Sequence, residues 1–247
     1  MSIYRMLFSS YVKDNMKDIH ARLMNLEMSV DCLIENPKYV SSDNIGFNGQ
    51  IFRKKIFLDL LGTIDFQAIV ETGTYFGDTT GYMAEMSKLH VYSCELNRRF
   101  HSIAKTRLVD FQTICLELND SRNFLEKLGR SELHKKIVFF YLDAHWYEDI
   151  PLVDEIRIIA RNWETFVVMI DDFMVPNDGG YGYDIYGKEK AFSLGLIENM
   201  VSEYDLVPFF PSLPSEKETG HKRGCVVLAN KTLSEKISRI NSLTRDR

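Results

Sequence analysis

Two short acidic clusters follow two of the most apolar runs in the chain. Ile137–Leu142, six residues without a charge, leads into Asp143-Ala144-His145-Trp146, and Phe166–Ile170 leads into Asp171-Asp172. Continuous apolar runs suit strands buried on both faces of a parallel sheet. As neighbours, such strands would end about 5 Å apart, and ligands of open parallel sheets bind beyond those ends. Three carboxylates crowded there repel one another unless a cation offsets them. A hard divalent ion such as Mg²⁺ takes oxygen ligands and keeps several waters, leaving positions for a substrate's hydroxyls. Histidine exchanges protons near neutral pH, so His145 could act as general base, with the metal easing loss of the hydroxyl proton. The competing explanation is that Asp143 and His145 cap the next helix and Asp171-Asp172 start a turn. Two charged clusters after two buried strands favour the site.

A second group of residues lies upstream. Ala68-Ile69-Val70 runs into Glu71-Thr72-Gly73-Thr74-Tyr75-Phe76-Gly77, and Asp78-Thr79-Thr80-Gly81-Tyr82-Met83-Ala84 then reads as a helix. A strand, a tight glycine turn and a helix bring bare backbone N–H groups up to a small polar ligand. The spacing Glu-x-Gly-x-x-x-Gly is neither the dinucleotide fingerprint nor a phosphate loop. The next apolar run, His90–Glu95, ends in Glu95, eighteen positions after Gly77. A carboxylate there can accept both hydroxyls of a ribose. After a third run, Gln112–Leu116, come Asn119-Asp120-Ser121, where Asp120 and the adjacent backbone could read an adenine edge or simply cap a helix. The glycine- and tyrosine-rich segment 177–187 is either a mobile lid beside the acids or an ordinary surface loop.

The elements that must hold these residues alternate in type. Apolar runs and helical patterns follow one another from residue 66. Between the last two strands, Asp149-Ile150-Pro151 supplies a cap and a first-turn proline, and Leu152, Val153, Ile156, Ile159, Ala160 and Trp163 share one helical face. Tyr204–Phe210 and Gly224–Ala229 have no crossover helix between them, so they read as an antiparallel hairpin with a long loop over 211–223. The expected fold is therefore α/β, a Rossmann-like doubly wound sheet that is mostly parallel and finishes in an antiparallel C-terminal hairpin. An N-terminal helical extension over 1–50 precedes the main domain, 51–247. In it Val12, Met16, Ile19, Leu23, Leu26, Val30 and Leu33 recur at spacings of four and three, a heptad-type stripe. Asn36-Pro37 ends that helix, and Gln50–Leu61 reads as a further one. The stripe packs either along its own domain or against a second subunit.

Composition removes several function classes. The 247 residues carry a net charge of −5, with 45% apolar and 26% charged residues. That is a globular chain without the basic face needed by a general nucleic-acid or anionic-membrane binder. The short basic runs Arg98-Arg99 and His221-Lys222-Arg223 read as solvated surface. Four scattered cysteines form neither a disulfide framework nor a zinc site. No apolar run approaches the ~20 residues that span a bilayer, and no secretory signal pattern opens the chain, so the expected compartment is the cytoplasm.

Taken together, the series over roughly 67–230 resembles a class I S-adenosylmethionine-dependent methyltransferase. The Asp143…Asp171-Asp172 pattern resembles the metal-dependent sugar O-methyltransferases of macrolide and aminocoumarin biosynthesis, the macrocin O-methyltransferase group, which includes cephalosporin-hydroxylase-like proteins. The resemblance implies that Asp143, Asp171 and Asp172 bind Mg²⁺ (or Mn²⁺). It implies His145 as catalytic base, with Asp143 as the alternative. It implies that S-adenosylmethionine lies with its methionine portion on the turn formed by Glu71, Thr72, Gly73, Tyr75, Gly77, Thr79 and Thr80. Glu95 would then hold the ribose, and Asp120 and Ser121 the adenine. The acceptor would be a hydroxyl of a sugar or glycosylated small molecule, and the N-terminal helix would help form a homo-oligomer. Asn119 stands where such enzymes often carry glycine, a departure that bears on the adenine contact. Two other functions remain open on these residues: a hydroxylase-like or nucleotide-sugar-using enzyme, and a non-catalytic oligomeric module.

Overall fold

The computed structural model describes residues 16, 19–20, 22–34, 38, 46–145, 149–186 and 190–245. Val12, the Asn36-Pro37 helix stop and Trp146 lie outside the described residues. The five expected parallel strands all form: β1 (Ala68–Thr72), β2 (Val91–Glu95), β3 (Ile114–Leu118), β4 (Val138–Leu142) and β5 (Phe166–Ile170). A two-residue pair, β6 (Ile185–Tyr186) and β7 (Lys190–Ala191), stands apart from the main sheet. The main sheet is completed by β8 (Val207–Pro211), β9 (Val226–Ala229) and β10 (Leu243–Thr244), in the order β10-β8-β9-β5-β4-β1-β2-β3. β9 lies antiparallel to β5 and to β8, which is the expected hairpin. The result is a Rossmann-like, doubly wound and mostly parallel sheet.

Burial explains which strands were easy to place. β1, β4 and β5 are buried at every position. Their successive side chains enter opposite layers: Ala68, Val70, Phe140 and Val168 join one core, and Ile69, Phe139, Tyr141 and Val167 the other. Three helices cover the first face: α5 (Ser121–Gly129), α6 (Leu152–Asn162) and α7 (Leu194–Glu203). The second face packs α2 (Ile51–Thr63), α3 (Asp78–Ser87) and α8 (Lys231–Ile237). β3 departs from the both-faces-buried expectation, because it is the sheet's edge and no residue of it is fully buried. It also starts at Ile114, two residues after the expected start, since 112–113 form a turn. The start of α6 differs too. Pro151, not Asp149, occupies the N-cap position, and the Asp149 carboxylate accepts from Arg122 instead.

The N-terminal helix, α1 (described over residues 22–34), turns an unexpected side to the domain. The heptad stripe faces outward: Leu23 is 53% exposed and Leu33 40%. Ser29 is buried, and Cys32 packs against Phe76 and Phe100 of the neighbouring helical layer. Phe100 belongs to α4 (Arg98–Arg107). The stripe is therefore not the face that α1 lays on its own domain. No helix among the described residues is long and apolar enough to cross a membrane.

A buried ion pair ties α2 to the end of β5. Arg53 and Asp171 are 1% and 0% exposed at their side chains, and the guanidinium donates to the carboxylate. Its other end donates to the main-chain oxygens of Arg223 and Gly224. Asp171 also accepts from the Tyr141 hydroxyl and from the Asp172 N–H. Removing one partner of a buried pair leaves an uncompensated charge, at a cost of about 3–5 kcal/mol. Arg53→Met should therefore lower the unfolding free energy in urea titrations by an amount of that order, with a lower midpoint, and adding Asp171→Asn should recover part of the loss. An unchanged midpoint in Arg53→Met would refute this account of the pair.

Candidate active site

Strand register delivers the site. Thr72 is level with Leu142, and Leu142 with Ile170, so Gly73, Asp143 and Asp171 leave the sheet side by side. The order of strands reverses between β1 and β4, and that switch point is where open α/β sheets bind ligands. A cleft of about 690 Å³ opens there. Gly73 must be glycine: its φ is +85°, and a Cβ would stand 2.3 Å from the Asp143 carbonyl oxygen. Close approach of these two loops forms the cleft floor.

The half of the cleft expected to take the donor is built from the glycine turn. The N–H groups of Gly73 and Thr74 donate back to Cys94 O at 3.0 and 3.2 Å, which fixes the turn against β2. Glu95 accepts from the N–H of Tyr75 at 2.8 Å and of Asn97 at 2.7 Å, holding its carboxylate at the cleft wall. Burial raises the Glu95 pKa even though those N–H groups oppose it. Asp120 caps α5, accepting from the N–H of Arg122 and Asn123, and the Arg122 guanidinium bridges it to Asp149. Met28 of α1 also lines the cleft.

Of the sequence-derived donor residues, Gly73, Tyr75, Thr79, Glu95, Asp120 and Ser121 line the cleft. Glu71, Thr72, Gly77 and Thr80 lie behind it. Glu71 is 1% exposed and accepts from the hydroxyls of Thr80 and Ser93. Its role here is to lock β1 to β2 and α3 under the turn. Gly77 begins α3 at φ +83°, where a Cβ would meet Leu108 at 2.7 Å. Thr72 is fully buried.

The acidic half is a three-residue cluster. One atom each of Asp143, His145 and Asp172 lies within 4.8 Å of the others. His145 is 2% exposed, its Nε2 has no hydrogen-bond partner, and it stands 3.5 Å from both Asp143 Oδ1 and Asp172 Oδ2. The ring is seated edge-on against Phe192, 4.6 Å between centroids. Asp171 is not in this cluster, because Arg53, Tyr141 and the Asp172 N–H take up its oxygens. The two cluster acids are driven apart. Burial, with the charges of Asp171 and Asp172, pushes Asp143 well above the usual carboxylate range. Burial also works to raise Asp172, but contacts from His145 and Arg223 outweigh it and bring the group to about 2.

The two carboxylates of this cluster suit a divalent ion. A hard cation takes oxygen ligands, and Asp143 and Asp172 offer them at one point of the cleft while Arg53 occupies Asp171. The buried His145 Nε2, 3.5 Å from each carboxylate and without a hydrogen-bond partner, stands beside them with its nitrogen open to a proton.

No family model matches the chain, and no curated protein matches it by sequence. Solved structures do match. An O-methyltransferase of Bacillus cereus in complex with SAH is 15% identical, with a TM-score of 0.52 over 84% of this chain and 91% of that one. The O-methyltransferase TomG of Streptomyces achromogenes, in complex with SAM, is 14% identical, with a TM-score of 0.52 over 83% and 89%. A putative O-methyltransferase of Klebsiella pneumoniae is 17% identical, with a TM-score of 0.52 over 83% and 90%. The fold is that of the class I methyltransferases.

Two kinds of residue in this methyltransferase-fold site escape a reading of the sequence. Arg223 and His221 line the cleft, although their basic run reads as solvated surface. Arg223 donates through Nε to Asp172 and through Nη2 to Asp184, whose other oxygen accepts from the Tyr186 hydroxyl at 2.7 Å. β9 begins where β5 ends and runs antiparallel to it, so a residue just before β9 arrives at the same sheet edge as Asp172. Glu155, on α6, is 1% exposed beneath the cleft. Burial raises it to about 7, while the neighbouring hydroxyls of Ser121 and Thr72 and the charge of His145 oppose the rise.

Glu71 carries the same signature, raised from 4.5 to about 7 chiefly by burial. Its folded-state pKa exceeds the unfolded value, so the folded chain binds the proton more tightly. That contribution is present below about pH 4.5 and is lost as pH rises through about 7. A shift of this size corresponds to about 3 kcal/mol. Relative to Glu71→Gln, the wild type should lose up to about that much stability between pH 4.5 and 8 in urea titrations. Glu155→Gln should show the same sign. Parallel stability curves for wild type and both variants would contradict the assignment.

Proposed function

We propose that this chain is an S-adenosylmethionine-dependent O-methyltransferase that uses a divalent ion, Mn²⁺ or Mg²⁺, at Asp143 and Asp172. The fold supports the donor, and the orphaned Nε2 of His145 between those two carboxylates carries the reading of the acceptor side. S-adenosylmethionine would supply the methyl group, held by the turn at Gly73–Tyr75, by Glu95 at its ribose and by Asp120 and Ser121 at its adenine. When bound, the ion would supply positive charge that lowers the pKa of a neighbouring hydroxyl.

The chain's own residues do the rest. His145 Nε2 receives the acceptor's proton, being buried and free of any competing hydrogen bond. Phe192 fixes the plane of its ring. Asp171 orients Asp172 through the main-chain N–H it accepts. Orientation and charge placed before the reaction account for most of the rate in this scheme. The acceptor is a hydroxyl-rich molecule such as a sugar, since Asn48, Asp184, Tyr186 and His221 present polar groups around the cleft. The outward stripe of α1 pairs with a second copy of the chain.

Calorimetric titration of S-adenosylmethionine, with and without Mn²⁺, tests both halves. The donor should bind wild type, Asp143→Asn and Asp172→Asn alike, while Mn²⁺ binding and methyl transfer to a sugar hydroxyl are lost in the two variants. Transfer that persists in both variants without metal would sink the mechanism. Binding of a nucleotide-sugar in place of S-adenosylmethionine would sink the donor assignment as well.

A further inference from the structure

Arg223 is placed in a way that the proposed chemistry does not require. Its main chain is clamped on both sides: its N–H donates to Gln50 Oε1 at 3.1 Å, and its carbonyl accepts from Gln50 Nε2 at 2.7 Å and from Arg53. The side chain, 27% exposed, enters the cleft and divides between two carboxylates, Asp172 and Asp184. Asp172 therefore presents one oxygen to a guanidinium and the other to His145. Asp184 is held from its far side by the Tyr186 hydroxyl.

Charge decides what this arrangement does. Asp171 is paired with Arg53, and the single guanidinium of Arg223 is divided between Asp172 and Asp184. A divalent ion at Asp143 and Asp172 would lie beside that guanidinium, and two cations sharing one carboxylate repel. Asp184 offers the guanidinium a second seat with its hydroxyl support already in place.

We propose that Arg223 is the resident counter-ion of Asp172 and competes with the divalent ion, with Asp184 and Tyr186 as the seat that receives the guanidinium when the ion binds. The inference rests on the metal reading above. It makes Arg223 a positioning residue that sets the ion concentration at which the site fills. The antagonism runs in opposite directions for the two partners. Loss of the guanidinium frees Asp172 for the ion. Loss of charge at Asp184 leaves the guanidinium nowhere else to go.

The test is Mn²⁺ binding by calorimetry and by the electron paramagnetic resonance signal of free Mn²⁺, on the full chain without donor or acceptor. Arg223→Gln should bind Mn²⁺ at least about tenfold more tightly than wild type, Asp184→Asn several-fold more weakly, and Arg223→Lys close to wild type. S-adenosylhomocysteine titrations on the same proteins establish that each variant is folded at the donor half. Equal Mn²⁺ affinity in wild type and Arg223→Gln overturns this inference alone. Loss of Mn²⁺ binding in Arg223→Gln with donor binding intact also overturns it, by showing that the guanidinium orients Asp172 for the ion. Failure of every variant to bind Mn²⁺ overturns the metal reading together with this one.

Discussion

A guanidinium with almost no access to water has to place its charge on protein partners, and Arg53 does this through its two terminal nitrogens at one point of the fold. Its carboxylate partner closes β5, and its main-chain partners open β9. Taking two charges out of water is expensive, and their attraction offsets the cost only when the geometry is good. The pair is thus weak evidence for extra stability and stronger evidence for a defined geometry. Asp171 cannot rotate away without stranding Arg53, so Asp172 leaves β5 from a fixed point, at φ 54°. Arg223 is set on the opposite wall by the same guanidinium. Both walls of the acidic cleft hang on one residue of α2.

The proposed donor and acceptor halves of the cleft are made differently. The donor half uses local structure: a strand, a turn whose glycine cannot carry a side chain, a helix start, and a carboxylate at the end of the adjacent strand. Its hydrogen bonds join neighbours, such as Gly73 to Cys94 and Tyr75 to Glu95. The acceptor half collects side chains from α2, from the ends of β4 and β5, from the 177–187 segment and from the approach to β9. Local construction survives large sequence change, which agrees with a common fold at 14–17% identity.

That division also sets what could be read from the sequence. β1, β4 and β5 were legible because burial on both faces leaves an uninterrupted apolar run, and the acids at their ends followed directly. β3 was placed two residues early because an edge strand lacks that run. β6, β7 and β10 are two residues each and leave no periodic signal. α7 and α8 carried no motif that drew attention to them. Arg53 and Arg223 were illegible for another reason. Arg53 meets Asp171 across 118 residues and Arg223 meets Asp172 across 51, and no local spacing encodes either pair. The family resemblance puts Glu71 on the donor turn. Here Thr80 and Ser93 hold it behind the turn.

Three aspartates at two strand ends look equivalent as letters, and their mutual repulsion alone calls for one external cation. The structure answers that repulsion partly from within. Asp171 is neutralised for good by Arg53. Asp172 is held low by His145 and Arg223 against the effect of its burial, and so stays charged and available. Asp143 has no arginine or lysine partner among the described residues, and burial with two neighbouring acids raises it. One residue type thus takes three states within a single cleft, by the rule that environments pushing like groups apart assign them different roles. Residue type and spacing located the chemistry; the two arginines decide how many of the three acids are left for it.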